Sequence, residues 1–379
     1  MGELGGRVTV APVRSSAVST PTSPHPAAGP APVPPAHSGG GAGASIAAGT
    51  GEVPGHIPVL PSEVLAALGL ADGAASKPNL VYADCTAGLG GHAALVAQRL
   101  GPGGTVALAD LDPGNLAHAA ARLHALPQPP VVRTVPGNFA ALPHALRSAG
   151  LAADLVLADL GFASPQVDDP ARGFSFSKDG PLDMRLDPSS PRTAATLVAT
   201  LPERELADLI REYGEERHAI LVARAIVAAR KAVPAAPLTT TAALAAVVRS
   251  ALRGKYDPGG IDPATRTFQA LRIAVNDELG NLAALLDAIA DAAADQASGR
   301  PTWLRPGARI AIISFHSLED RPVKQAFAAL VSRGRAIDLL DGPVGPTPAE
   351  VAANPRARSA KLRAIALTPP APRPQPGPT

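Results

Sequence analysis

Asp84-Cys-Thr-Ala-Gly88-Leu-Gly90-Gly91-His92 follows the apolar run Leu80–Ala83 and leads into a helical pattern at Ala93–Leu100. A strand that turns through glycines into a helix is the first half of a βαβ unit. Glycine there lets the backbone bend sharply and lets a ligand approach the N–H groups at the start of the helix. The next apolar run, Val106–Ala109, ends at Asp110, about 20 residues on, where a carboxylate suits paired bonds to ribose hydroxyls. Together these features indicate an adenosine-containing ligand. Gly88, Gly90 and Ala93 also satisfy the relaxed dinucleotide pattern, but Gly90, Gly91 and His92 leave a short, wide loop. That loop suits the methionine end of S-adenosyl-L-methionine, which has no pyrophosphate to cradle. Other readings stand beside these: Asp110 can cap the following helix, and His92 can be a satisfied histidine at a helix start.

Outward from this motif the alternation continues. Val131–Val135 and Leu155–Leu157 read as further strands, and Asn115–Leu123 as a helix. The pattern predicts a parallel sheet with right-handed crossovers. From 168 to 262 the periodicity is helical without strands, as in Glu203–Tyr213, Arg217–Lys231 and Thr241–Leu252. One long helix is expected over Ala264–Ala294, then a strand at Ile310–Ser314 and a helix at Leu318–Ser332. Two last apolar segments, Ala336–Leu340 and Leu362–Leu367, complete the sheet, the second as an antiparallel edge strand. Before the first strand, Pro61–Leu70 reads as an amphipathic helix capped by Ser62, with Val64, Leu65 and Leu68 on one face.

The fold class is therefore α/β, a Rossmann-like sheet with an inserted helical domain. Its parts are 53–167 and 263–368 for the sheet domain and 168–262 for the insertion. Residues 1–52 and 369–379 are rich in Pro, Gly, Ala and Ser and bury too little apolar surface to offset the entropy of ordering. They read as a disordered extension and tail. The extension is poor in acids, which also fits an organelle transit peptide.

The net charge of the 379-residue chain is only +2, yet from Arg300 onward twelve Lys and Arg face five Asp and Glu. Arg356, Arg358, Lys361 and Arg363 give the C-terminal region a positive face that reads as solvated or as a phosphate contact. Cys85 is the only cysteine, which excludes an intramolecular disulfide and a cysteine-built zinc cluster. No apolar run approaches the roughly 20 residues needed to span a bilayer. A cytoplasmic location is expected, or an organelle if residues 1–52 are a transit peptide, with neither membrane nor metal as partner.

The run from Asp159 to Arg185, DLGFASPQVDDPARGFSFSKDGPLDMR, packs carboxylates, arginines, aromatics and turn residues into one loop after the fourth strand. A packed core does not need that mixture, and chemistry in α/β enzymes sits at such strand ends. Asp159-Leu-Gly161-Phe162 lies where amino-methyltransferases keep an acidic or amide motif followed by an aromatic. An exocyclic amine is a poor nucleophile because its lone pair is delocalised into the ring. A carboxylate accepting its N–H bond restores lone-pair density and aims the nitrogen, and positioning supplies most of the acceleration.

Phe139, after Gly137-Asn138, can stack on adenine or pack in the core. Arg172, Phe174 and Phe176 can hold an extruded base and its phosphate, or anchor the loop. Asp183 and Arg185 can position RNA or pair with each other. Glu215, Glu216 and Arg217 suit an ion network. Arg266, Arg272 and Asn276 suit an RNA-facing stripe or a buried polar seam. His316, ending the fifth strand in Ser314-Phe315-His316-Ser317, can bond substrate or satisfy backbone.

Taken together, the blocks DCTAGLGGH, DLGFASPQVDDPARGFSFSKDGPLDMR, YGEER (Tyr213–Arg217), PATRTFQALRIAVNDEL (Pro263–Leu279) and SFHSLEDRPVK (Ser314–Lys324) resemble the bacterial 16S rRNA cytosine N4-methyltransferase family, MraW or RsmH. The likeness runs from His56–Leu65 to Asn354–Arg363. It implies S-adenosyl-L-methionine as cofactor, held by Gly90, Gly91, His92, Asp110, Phe139, Asp159 and Gln166, with Asp159 also catalytic. It implies a cytosine in the decoding region of small-subunit rRNA, naked or in the assembled subunit, as substrate. It leaves a homodimer open. The chain departs from the family at Phe162-Ala163, usually Val-Ser, and at Ala87, Leu111 and Pro322. Another nucleobase or RNA, or a non-catalytic ribosome-assembly binding role, are the alternatives.

Overall fold

The computed structural model describes residues 58–71, 79–100, 103–162, 164–232, 238–256 and 260–369. The extension at 1–52 and the tail beyond 369 lie outside them. In chain order the elements of the first half are α1 (Pro61–Ala67), β1 (Val81–Asp84), α2 (Gly91–Leu100), β2 (Thr105–Asp110), α3 (Pro113–His124), β3 (Val131–Pro136), α4 (Leu142–Ser148) and β4 (Ala153–Asp159). The helical stretch holds α5 (Ser164–Asp168), α6 (Ala194–Thr200), α7 (Glu203–Gly214), α8 (Ala219–Ala232) and α9 (Thr241–Ala251). There follow α10 (Thr265–Asn276), α11 (Glu278–Ala297), β5 (Leu304–Ser314), α12 (Ser317–Ser332), β6 (Ala336–Asp338), α13 (Pro348–Ala353) and β7 (Lys361–Leu367).

The seven strands run in the order β3-β2-β1-β4-β5-β7-β6. The first five are parallel, and β7 pairs antiparallel with both β5 and β6. The order reverses beside β1, so the C-terminal ends of β1 and β4 flank the crevice where such sheets bind ligands. Strand residues alternate between two cores. Val81, Ala83, Val156 and Ile310 pack with α4, α11 and α12, and Tyr82, Val106, Leu157 and Ile313 pack with α1, α2 and α3. A third core, in the inserted helices, takes in Phe268, Leu271 and Val275 of α10.

Four sequence expectations need correction. Ser62 does not cap α1. Pro61 opens the helix, as its missing N–H allows, behind a left-handed Leu60 whose N–H donates to Glu350 Oε1 at 2.7 Å. The single long helix over 264–294 is two, because Asp277 takes a left-handed conformation at φ 50°. Asp tolerates that conformation better than most residues. Asn281 Nδ2 then takes up the freed Asn276 carbonyl at 3.1 Å, and Arg272 reaches across the break to Glu278. The fifth strand begins at Leu304, well before Ile310, passing a register shift against β4. The last strand is internal, and the short β6, with Ile337 exposed, forms the edge instead. Among the described residues no helix is long and apolar enough to cross a membrane.

Candidate functional site

A cleft of about 470 Å³ opens at the C-terminal ends of the central strands. Its wall includes Gly88, Gly91, His92, Asp110, Phe139 and Asp159 from the nucleotide half. Gln166, Arg272, Glu278, His316 and Glu319 line the other half. The sequence-predicted cofactor residues thus converge, with one distinction. Gly90 faces α3, where a Cβ would lie 3.0 Å from Ala119 Cα, so it serves helix packing at φ 74°. Phe139 opens a short turn capped by Asn138, and it packs partly against the core while lining the cleft.

Asp110 is not the cap of α3. Asp112 is, accepting from Gly114 N at 2.9 Å. The carboxylate of Asp110 accepts from Gly88 N through Oδ2 and from Asp112 N through Oδ1, each at 2.8 Å. Burial raises its proton affinity while those N–H bonds oppose the rise. The Asn115 side chain bonds the same carboxylate, which, with about four acceptor positions, retains capacity for a hydroxyl from a ligand.

Asp159 ends β4, where its N–H donates to Thr86 Oγ1 at 2.7 Å, tying β4 to the glycine turn. Its Oδ2 stands 3.6 Å from His92 Nε2, beyond hydrogen-bond reach. Its Oδ1 is buried with no hydrogen-bond partner. Burial, then the charges of Asp84 and Glu319, push this carboxyl up to about 8. Asp84 itself is buried and raised to about 6, while it accepts from Tyr82 Oη at 2.9 Å. A buried acceptor without a donor is costly in a resting structure, so Asp159 has the character of a group awaiting a ligand's N–H.

The acceptor side is a polar network. Arg272 forks onto Glu278, with both bonds at 2.9 Å, and lies 4.6 Å from the centroid of the Phe162 ring. His316 Nε2 stands 3.3 Å from Glu319 Oε1. Burial, then Arg272, push the imidazole down to about 4, and burial pushes Glu319 up to about 7. The contact therefore lies between groups driven towards neutrality and is not a strong ion pair. Glu278, His316 and Glu319 hold ligand-capable atoms within 4.8 Å of one another, but the Arg272 guanidinium already neutralises Glu278. Arg266, Arg272 and Asn276 thus spend their polar groups inward: Arg266 donates to the Glu215 carbonyl, and Asn276 donates to Met184 O at 2.8 Å.

The loop residues expected at the substrate lie outside the lining of this cleft. Phe174 tilts against Phe162 at 5.9 Å between centroids, and Phe176 meets Phe268 edge-on at 4.7 Å. Arg185 forks onto Asp183. Arg172 bonds Asp112 and two backbone carbonyls. In the C-terminal basic run, Arg356 meets Asp168 at 2.6 Å, and Arg363 and Lys361 share Asp320. Glu215 accepts from Ser317 Oγ at 2.5 Å and from Arg321, while Glu216 is buried and accepts from Tyr256 Oη. Sequence reasoning missed Asp112, Glu278 and Glu319. Only Asp112 carried a local signal, an Asp directly before Pro113 at a helix start.

A sheet that reverses at β1, a glycine turn and the strand-end carboxyls of Asp110 and Asp159 define an S-adenosyl-L-methionine-dependent methyltransferase of Rossmann-like fold. Comparison with known proteins agrees: the MraW methylase family matches residues 54–368. The chain belongs to that family. It is 46% identical over 328 residues to the ribosomal RNA small subunit methyltransferase H of Halorhodospira halophila, covering 81% of this chain and 93% of that one. It is 42% identical over 327 residues to the protein of the same name from Thiobacillus denitrificans, covering 82% and 96%. Among solved structures, Aeropyrum pernix fibrillarin with bound S-adenosyl-L-methionine overlays at a TM-score of 0.31 and 11% identity, covering 79% and 73%. An overlap that slight carries no weight.

Proposed function

We propose that this protein methylates N4 of a cytosine in the decoding region of small-subunit (16S) rRNA. The names of the relatives support rRNA of the small subunit as substrate. The observation that carries the chemistry is the buried, unpartnered Oδ1 of Asp159, in one cleft with Asp110.

S-adenosyl-L-methionine, held by Asp110, Gly91, His92 and Phe139, supplies the methyl group as an electrophilic sulfonium carbon. Asp159 accepts the exocyclic N–H, raises the density of the nitrogen lone pair and aims it. As the N–C bond forms and the S–C bond breaks, the nitrogen becomes cationic. It returns to neutrality by giving a proton to Asp159. A carboxyl raised to about 8 is largely protonated near neutral pH, so it takes that proton only once ionised, a state that the positive charge of a bound sulfonium favours. His316 and Phe162 bound the acceptor end of the cleft, suited to a base turned out of its stack. The reaction belongs in the cytoplasm, where the subunit is assembled.

The test is transfer of labelled methyl to purified small subunits from cells lacking this protein, with the nucleoside identified by mass spectrometry. N4-methylcytidine is expected. Label on another nucleoside, or none, overturns the reading.

A further inference from the structure

Hydrogen bonds run around the cleft as a closed circuit. Asp110 Oδ1 accepts from Asp112 N at 2.8 Å. Asp112 Oδ2 accepts from Arg172 Nη1 at 2.7 Å and from Gln166 Nε2 at 3.2 Å. Arg172 Nη2 donates to the Arg185 and Leu186 carbonyls at 3.0 and 3.1 Å. The Leu186 N–H donates to Asn276 Oδ1 at 2.8 Å, and the Asn276 carbonyl accepts from Asn281 Nδ2 at 3.1 Å. Asn281 Oδ1 accepts from Asn138, the cap of the Phe139 turn. Gly137 N returns to the Asp110 carbonyl at 3.0 Å.

The nucleotide end and the acceptor loop are thus one bonded ring. Arg172 is its charged link. Asp112, 6% exposed, is held ionised: burial opposes the charge, but the bonds from Arg172 and Gln166 outweigh it. A charge-assisted bond between partly buried groups is stronger and more directional than a surface pair. The two terminal nitrogens of Arg172 face this carboxylate and the loop backbone, and Leu186 itself lines the cleft.

We propose that Arg172 is a positioning residue that couples the two ends: ordering of the Asp110–Asp112 turn by the cofactor sets the 185–186 backbone for the acceptor RNA, and the reverse. The proposal rests on the RNA-methylating reading above. Coupling of this kind is reciprocal and commonly amounts to about 5- to 150-fold in affinity.

The experiment measures affinity for purified small subunits with and without saturating S-adenosylhomocysteine, and the converse, at several salt concentrations. In the unaltered protein each ligand is expected to tighten the other about tenfold, within the range usual for such coupling. Arg172→Gln removes the link. Arg172→Lys keeps the charge but cannot span the carboxylate and both carbonyls. Asp112→Asn keeps the helix cap but removes the anionic partner. In all three the coupling is expected to fall to about twofold or less, with S-adenosylhomocysteine affinity alone within about threefold, which also reports folding. The salt dependence of RNA binding stays unchanged in Arg172→Gln.

Four outcomes overturn the proposal: absence of coupling in the unaltered protein, coupling that survives in the variants, a salt slope that drops by about one in Arg172→Gln, or tighter RNA binding in Asp112→Asn, where the arginine would be freed. The last two identify a phosphate contact. Failure of the unaltered protein to label small subunits at all is a different result and falls on the functional reading.

Discussion

At the Asp110 end of the cleft several shaping contacts reach over only two residues, Thr86 N to Asp84, Asp112 N to Asp110 and Gly114 N to Asp112, beside longer ones such as Gly88 N to Asp110 across 22. At the acceptor end they reach much further. Leu186 is tied to Asn276 across 90 residues and Ser317 to Glu215 across 102. Short-range bonds form with the turn itself, whereas long-range ones hold only while the inserted helices and the sheet stay packed. The nucleotide end is therefore expected to persist when the acceptor end is disturbed, and each variant below tests that division.

The largest effect is expected at the carboxyl where the two ends meet. Asp159→Ala should lower single-turnover methyl transfer by about 10³-fold, as loss of a positioned catalytic group does. Cofactor affinity by calorimetry should change less than about threefold, and equal rates in both proteins would remove Asp159 from the chemistry. Asp159→Asn has a second, opposite consequence. The folded carboxyl is pushed up to about 8 from its ordinary 3.8, so between these pH values the folded state holds a proton that the unfolded chain has lost. Its contribution to stability is present below the lower value and is lost as pH rises through the upper one. Asparagine has no such proton, so its stability advantage over the parent should grow from about pH 4 to pH 8. A pH-independent gap in denaturant midpoints would contradict the raised affinity.

Next comes the acceptor loop. Gly173 sits at φ 70°, and a Cβ there would lie 2.1 Å from the Pro181 carbonyl. Gly173→Ala must therefore move backbone, at a cost of about 2–4 kcal/mol. Transfer should fall about 100-fold while cofactor affinity holds, a loss that follows from misplacement by about 1 Å. Parallel loss of cofactor binding would erase the distinction between the two ends. The converse variant, Asp110→Ala, should weaken cofactor affinity about 10- to 100-fold by removing two charge-assisted acceptors. Unchanged affinity would deny the ribose contact.

The same division explains what could be read from sequence. Strand–helix alternation, the glycine turn and Asp110 were legible because period and turn chemistry are local. The break at Asp277 was not, since Asn276-Asp277 continues a helical pattern and the bonds that bridge the turn, made by Asn281 and Glu278, depend on the folded geometry. Leu60 as the start of α1 depends on Glu350, 290 residues away. The internal position of β7 depends on the three-residue β6, too short to announce itself. Arg172 and Arg185 were visible as cations in a loop, and pairing of Arg185 with Asp183 was one of its two readings, but Asp112 and the carbonyl partners are not revealed by composition.

Arg185 gives the smallest expected effect and the sharpest view of that last point. Its guanidinium forks onto Asp183 at 2.7 and 2.8 Å and donates to the Pro188 and Ser190 carbonyls at 2.8 and 2.7 Å. The hydrogen bonds it donates to Asp183 strengthen its hold on its proton. These bonds staple the turn at 187–190 to the loop, so the side chain is engaged before RNA arrives. Arg185→Gln should cost about 1–2 kcal/mol in denaturant stability, since part of the fork and both carbonyl bonds are lost. Transfer should fall only about threefold, because the turn lies beyond the cleft wall, and the salt slope of RNA binding should not move. A slope lower by about one would put a phosphate on Arg185 and would make the acceptor loop a contact surface at a point where its bonds assign it to scaffolding.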